Sequence, residues 1–466
     1  MSTSGSNSSL RKKAKTFGQI NKSVVAATTI KKTSVEKQQI KNSDKEQTKI
    51  EVLPEYRQVK KLIDASSPLI FVTGSAGTGK STFIKWLEKQ YSGRSLLCAP
   101  TGIAALTIGG KTIHSLCKFP PSWIVDKDIK QDRKSLAKHA KVLIIDEVSM
   151  VNANLLDSID KYFRMNRDNS LPFGGISLVM VGDLFQLPPI VSKSVKHLFE
   201  ATYSSPGFYS AKSVSESLFY YFELTKAFRQ VDQGFVNLLG NIREGKNITQ
   251  SIKTLNESCR ITQNPETGAI SLAPTHLDID RVNLKRLQAL KGKEQVYNGV
   301  VTGRFLERNL PAPISIQLRI GAQVMLIKNS KKYINGDVAL VTDLFEDRIQ
   351  VSLLKSRKII DVPAATWEQF DYKLNAKTKE IEKIVIGSYS QIPVILAWAI
   401  TIHKSQGLTL ERVHLDLGSG AFETGQTYVA LSRCRSLETL SLERPIKSSD
   451  IRIDPKAKAF YDELRG

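Results

Sequence analysis

Three polar groupings, each closing an apolar run, carry the residue types needed to cleave a phosphoanhydride. The first is the pattern Gly74-x-x-x-x-Gly79-Lys80-Ser81 within "PLIFVTGSAGTGKSTFIKWL"; it takes in Gly74, Ser75, Ala76, Gly77, Thr78, Gly79, Lys80, Ser81 and Thr82. Its glycines let successive backbone N–H groups turn toward a β-phosphate, and the helix expected to follow adds a favourable dipole. Lys80 is placed to reach the β and γ oxygens, and Ser81 to offer a hydroxyl to Mg²⁺. The second grouping is Asp146-Glu147 at the end of "KVLIIDEVSM". Asp146 suits Mg²⁺ held through water, and Glu147 suits alignment or deprotonation of an attacking water. The third is Gly182-Asp183 followed by Gln186 in "ISLVMVGDLFQLPPI", where a neutral hydrogen-bonding side chain can sense a γ-phosphate. A fourth stretch, "TIHKSQG" from Thr401 to Gly407, follows "ILAWAI" and holds His403, Lys404 and Ser405. A nucleophilic role for Ser405 fails because no oriented base and oxyanion partner accompany it. A loop that grips phosphates fits better.

These groupings need elements to hold them. The sequence predicts a strand, turn and helix around Gly74 to Lys80, and further buried strands before Asp146, Gly182 and Thr401. Parallel strands bring such ends together at one edge of a sheet. From "LRIGAQVMLIKNS" through "YINGDVALVTDLFEDRIQVSLL" the pattern changes to short alternating strands with a turn at Asn335-Gly336, as in a small β-barrel.

Composition bounds the partners. The chain of 466 residues is long enough for two or three domains, and its net charge of +22 with pI near 9.6 points to a polyanion, most simply nucleic acid. No apolar run nears the roughly 20 residues that span a bilayer, which predicts a soluble chain. Four dispersed cysteines and six histidines give neither a disulfide framework nor a zinc pattern. Residues 1–50 hold eleven Lys and Arg against three acids and few large apolar side chains. The segment reads as a disordered basic tail in preference to a DNA-binding or targeting arm.

The segment "GDLFQLPP", preceded by "PFGGI" at Pro172 to Ile176, resembles the petite-integration-frequency (Pif) helicases of superfamily 1B, relatives of RecD. "APTGIAALTIGGKTIHSL", "LTKAFRQ", "AWAITIHKSQG" and "GQTYVALSRCRSLETL" resemble further motifs of that family, in the family's order. The resemblance implies an α/β fold of two RecA-like P-loop motor domains with parallel sheets, a small wedge insertion and an SH3-like β-barrel insertion. The implied division is a tail over 1–51, motor domain 1A over 52–230 with insertion 1B at 117–140, motor domain 2A over 231–316 and 396–466, and insertion 2B over 317–395. Phe119, Pro120, Pro121 and Trp123 read equally as a fork wedge and as a packed turn. Arg229 and Arg433 match the family's cationic γ-phosphate contacts. Gln58 is the candidate adenine reader, one residue off the family spacing from Leu53; Thr275, Asp280 and Asn283 fall in expected places, while His276 replaces a usual asparagine.

Short donors on loops after apolar strands suit the backbone of a single strand: Thr101, Thr112, His114 and Ser115 in one half, and Thr401, His403, Lys404 and Ser405 in the other. The resemblance adds Thr275 to that set. It implies an ATP- and Mg²⁺-dependent 5′-to-3′ helicase on single-stranded, forked or partial duplex DNA, as a monomer or as a dimer on DNA. G-quadruplex and RNA–DNA hybrid substrates, and the pathway within genome replication or maintenance, stay open. So does the compartment: cytoplasm in a bacterial or viral setting, nucleus or mitochondrion in a eukaryote. The alternatives are a RecD-like translocase subunit and a nucleic-acid-dependent NTPase switch that does not unwind.

Overall fold

The computed structural model describes residues 51–132, 136–228 and 232–466. The expected basic tail, apart from Glu51, and the candidate Arg229 lie outside the described residues. Strands β1 (Leu69–Gly74), β2 (Ser95–Ala99), β3 (Lys111–Thr112), β4 (Val142–Ile145), β5 (Ser177–Val181) and β6 (Phe219–Leu224) form one sheet in the order β3-β2-β4-β5-β1-β6. Every pairing in it is parallel. Strands β1, β2, β4 and β5 are buried along their whole length, which is why they read as unbroken apolar runs without alternation. The order makes β4, β5 and β1 neighbours. Their carboxyl ends, carrying Asp146, Asp183 and Gly74, therefore lie side by side.

The chain then makes β7 (Arg260–Ile261) and β8 (Ile270–Ala273) before leaving for a separate, largely antiparallel β region. That region comprises β9 (Glu294–Asn298), β10 (Val300–Gly303), β11 (Ser315–Arg319), β12 (Gln323–Leu326), β13 (Val338–Leu344), β14 (Arg348–Leu353), β15 (Ile359–Pro363), β16 (Ala365–Leu374), β17 (Ile381–Gln391) and β18 (Val394–Leu396). The chain returns with β19 (Ala399–Thr401), β20 (Val413–Leu415) and β21 (Leu440–Leu442) to complete a second parallel sheet, β19-β8-β20-β21-β7.

Two expected boundaries shift. Residue 317 falls inside β11, and Tyr297, Phe305, Ile316 and Leu318 share a core with Val324, Val341 and Ile349. Strand β10 also pairs with β17, Val300 opposite Ser390. The inserted β region therefore begins with β9. The second shift is at the end of the chain, where the helix Pro455–Arg465 falls within the 396–466 portion expected to join the second motor domain. Ala457 and Tyr461 are instead buried in the first sheet's core with Phe71, Phe185 and Phe208. Ala457, Phe460, Tyr461 and Leu464 recur at the spacing of one helix face, and that face seeks the largest apolar surface within reach.

The β16–β17 hairpin also reaches the first sheet. The Tyr372 hydroxyl accepts from the Leu97 N–H at 3.0 Å and lies 3.3 Å from the Leu97 carbonyl, while Lys111 pairs with Asp371 at 2.6 Å. In the 117–140 segment, Phe119 is in the core, and Trp123 meets Phe199 edge to face at 4.9 Å. Both aromatics are occupied in packing, and Pro121 and Ser122 between them are exposed.

Candidate active site

Gly74 ends β1 where a side chain has no room: a Cβ there would lie 2.5 Å from Thr78 Oγ1 and 2.6 Å from the Leu224 carbonyl. Gly77 and Gly79 sit at φ +85° and +88°, a region glycine enters without strain. The loop can thus curl over the strand end and start the helix Lys80–Gln90. Within the curl Lys80 Nζ donates to the carbonyls of Gly74 at 2.7 Å and Ser75 at 3.0 Å. Burial lowers the Lys80 pKa, and the carboxylates of Asp183, Glu147 and Asp146 oppose that shift. Buried Thr78 braces the loop by donating to the Ser75 carbonyl at 2.9 Å, and Ser81 and Thr82 open the helix at the surface.

Asp146 and Glu147 follow β4. Asp146 Oδ1 accepts the Glu147 N–H at 2.9 Å, and Glu147 takes φ +50°. Such a posture is uncommon for a residue with a Cβ and persists where its surroundings over-determine it. Burial, reinforced by the Glu147 charge, pushes the Asp146 carboxyl up to about 7. Burial raises Glu147 as well, against Lys80, Arg433 and Gln406. A half-buried acid pair of this kind favours a further cation. Among the described residues no group of three or more His, Cys, Asp or Glu could hold a metal ion. So sparse a set of protein oxygens fits Mg²⁺, which keeps its waters and uses one or two protein oxygens plus phosphate; Ser81 and Asp146 are the residues that would hold it.

Gln186, buried behind β5, meets a residue that no local sequence signal singles out. Gln406 Nε2 donates to Glu147 Oε2 at 2.9 Å and to Gln186 Oε1 at 3.2 Å. The loop after β19 in the second sheet thereby touches two polar strand ends of the first.

A second bridge lies deeper. Asp183, with no exposed surface, accepts at both carboxylate oxygens from Arg243 Nε at 3.1 Å, and Tyr428 donates to its Oδ2 at 3.2 Å. The Tyr428 hydroxyl in turn accepts the Ala76 N–H of the phosphate loop at 2.9 Å. Gly425 makes the approach possible, since a Cβ there would sit 2.4 Å from the Phe185 carbonyl.

Arg433 is 1% exposed, and its Nη1 donates to the carbonyls of Ser405 at 3.2 Å and Leu408 at 3.1 Å. In this arrangement it anchors the loop that carries Gln406. Phe228, preceding Arg229, is 50% exposed, its N–H donates to the Gly77 carbonyl at 2.9 Å, and its ring lies 3.4 Å from where a Gly79 Cβ would be. It offers a flat face at the mouth of the loop. Gln58 lies on the exposed side of the helix Pro54–Asp64, whereas Tyr56 of that helix points at the Gly79 carbonyl, 3.4 Å away.

The expected nucleic-acid donors gather in two sets. Thr101 follows β2 and Thr112 ends the adjacent β3, while Thr275 follows β8 and Thr401 ends the adjacent β19. Thr101, Thr112 and Thr401 each cap a short helix, accepting from Ala104, Ser115 and Lys404 N–H at 3.3, 3.2 and 3.0 Å. Ser115, Thr275 and Lys404 are exposed, and His114 and His403 half-buried. Two residues depart from expectation: Thr401 is 1% exposed, and Ser405 is fully buried and donates to the Ile402 carbonyl at 2.7 Å, so both hydroxyls serve the turn. Asn283 is likewise structural, exchanging two hydrogen bonds with the backbone of Ala399 at 2.8 and 3.0 Å. The side chain of His276 lies outside the described set.

A family model described as PIF1-like helicase matches residues 44–253. The ATP-dependent DNA helicase PIF1 of Emericella nidulans is 34% identical over 478 aligned residues, which cover 88% of this chain and 62% of that protein. The chain thus spans about three fifths of the length of that curated relative. The unliganded structure of Pif1 from Bacteroides sp is 34% identical and superposes with a TM-score of 0.82 over 90% of this chain and 98% of that one. Bacteroides Pif1 bound to single-stranded DNA, 35% identical over 89% of this chain and 97% of that one, superposes with a TM-score of 0.63.

Proposed function

This chain belongs to the PIF1-like helicase family, and from that membership we propose that it is an ATP-dependent DNA helicase that moves 5′-to-3′ along single-stranded DNA and unwinds forked or partial duplex. One observation carries the reading: the loop Thr401–Gly407 of the second sheet is hydrogen-bonded, through Gln406, to the polar strand ends of the first sheet beside the phosphate loop. A loop suited to the DNA backbone and a site suited to ATP share one contact.

The residues divide the work accordingly. Backbone N–H groups from Gly74 to Ser81 receive the phosphates, and Lys80 exchanges its hydrogen bonds with the Gly74 and Ser75 carbonyls for the β and γ oxygens. Mg²⁺, held by Ser81 and Asp146, would neutralise charge on those oxygens. Glu147 orients the attacking water and draws its proton, while Gln186 faces the γ-phosphate. Phe228 offers its ring to the base. Arg229 and Arg433 supply the cationic contacts that the family resemblance assigns them. Drawing the two parallel sheets together on ATP and releasing them after hydrolysis would shift the Thr101/Thr112 set against Thr275 and the Thr401–Gly407 loop along the strand. The inserted β region takes the part of the SH3-like module, and the Pro121-Ser122 tip that of the wedge. Contacts to phosphate carry no base information, so binding should be sequence-tolerant and strongly weakened by salt.

ATP turnover measured with and without single-stranded DNA tests the motor reading; a rate indifferent to DNA would sink it. Forked duplexes with a single 5′ or 3′ tail test direction, and unwinding of the 3′-tailed substrate alone would overturn the stated polarity.

A further inference from the structure

We propose that Gln406 is a positioning residue that withholds Glu147 and Gln186 from ATP hydrolysis until DNA displaces the Thr401–Gly407 loop. The inference rests on the reading of the chain as a DNA-stimulated ATPase. It stands on three observations. A single amide nitrogen, Nε2, commits its two hydrogens to Glu147 Oε2 at 2.9 Å and Gln186 Oε1 at 3.2 Å. The acceptor atoms suited to orienting water and meeting a γ-phosphate are therefore tied to each other by one side chain.

Second, the backbone on either side of Gln406 is tied together and moves as one piece. Gln406 follows the one-turn helix Ile402–Ser405, and Arg433 grips the carbonyls of Ser405 and Leu408 on either side of it. Third, the loop's outward residue is the exposed Lys404, two positions away. A phosphate drawing Lys404 outward would carry Gln406 with it, and hydrogen bonds of 2.9 and 3.2 Å are broken within about 1 Å of displacement. Glu147, at φ +50°, then recovers a free carboxylate oxygen at the strand end.

Gln406→Ala tests this. Removing the donor should raise DNA-free ATP turnover on the order of tenfold, as expected for deleting a hydrogen bond to a charged group. The fold-stimulation by DNA should shrink to match, with KM for ATP unchanged. Gln406→Asn, one methylene shorter, should reach one acceptor only and fall between, which guards against a folding defect in the alanine variant. A merely structural role would lower both rates together and leave their ratio intact; that result, or a fall confined to the DNA-stimulated rate, would overturn the inference. A wild-type chain whose turnover ignores DNA would instead remove the reading on which the inference rests.

Discussion

The Tyr428 hydroxyl, carried by the short helix Gln426–Leu431, accepts the Ala76 N–H of the phosphate loop at 2.9 Å and so fastens the first sheet's loop to the second sheet's framework. Tyr428→Phe keeps the ring and deletes that acceptor. A buried N–H left unpaired costs about 1 to 3 kcal/mol, so urea unfolding should show a drop in stability of that size. An unchanged midpoint would mean that the amide finds another partner.

Arg243 and Asp183 form a buried ion pair, with 3.0 Å between Arg243 Nη2 and Asp183 Oδ1, and the guanidinium lies 4.9 Å from the Phe185 ring centre. Arg243→Met strands a carboxylate without its cation. The expected penalty is about 3 to 5 kcal/mol, against roughly none for an exposed pair such as Lys196 with Glu200. Comparing Arg243→Met with Lys196→Met by chemical denaturation checks the contrast.

Lys80→Ala should abolish measurable ATP turnover, a fall of at least about 10²-fold, because no other cation in the loop reaches the transferring phosphoryl group. Its melting temperature should stay near wild type, since the substitution removes the Nζ hydrogen bonds to the Gly74 and Ser75 carbonyls, and Asp146 and Glu147, already raised in pKa, can take up a proton in place of the lost cation. Turnover close to wild type would remove the loop from the mechanism.

Lys404→Ala should weaken single-stranded DNA binding and reduce the salt dependence of its affinity by about one unit of log–log slope, while leaving ADP affinity in place. Fluorescence anisotropy at several salt concentrations measures both. Weakened ADP binding with intact DNA binding would reverse the assignment.

Glu244 carries a pH signature. Burial would raise its pKa, but hydrogen bonds from Lys246 and Arg465 and the charges of Arg465 and Arg243 win and hold it at about 2, below its ordinary 4.5. A carboxyl depressed in the folded state contributes its stability above the ordinary value and loses it as the pH falls from 4.5 toward 2. Arg465→Ala should therefore lower the melting temperature clearly at pH 7 and by much less at pH 3. An equal decrement at both would show that the pairing does not set the carboxyl's acidity.

The phosphate loop, Asp146-Glu147 and Gln186 are legible in sequence because each sits at the end of an apolar strand, and parallel sheets gather such ends. The alternating strands of the inserted region are legible for the same local reason. Gln406 and Tyr428 are not: their partners lie hundreds of residues away, Glu147 at a separation of 259 and Ala76 at 352. Ser405 looks like a surface donor yet turns inward, and Trp123, readable equally as a wedge or as part of a packed turn, packs against Phe199. Which side of a one-turn helix or a proline-rich turn faces the core depends on neighbours that spacing does not encode. The terminal helix shows its apolar face plainly, but nothing in the sequence says which of two cores it will enter.

That choice governs the order in which the molecule can be made. Tyr461 hydrogen-bonds Thr73 across 388 residues at 2.5 Å and stacks on Phe185 with ring centres 4.8 Å apart. The first sheet is complete in sequence by Leu224, yet Phe71 and Phe185 gain the cover of Tyr461 only once the helix Pro455–Arg465 has been made. Loop closure over such a span is slow relative to local helix and hairpin formation. The first half is thus a poor candidate for expression on its own, and truncating the chain before Pro455 should expose the interior of the first sheet.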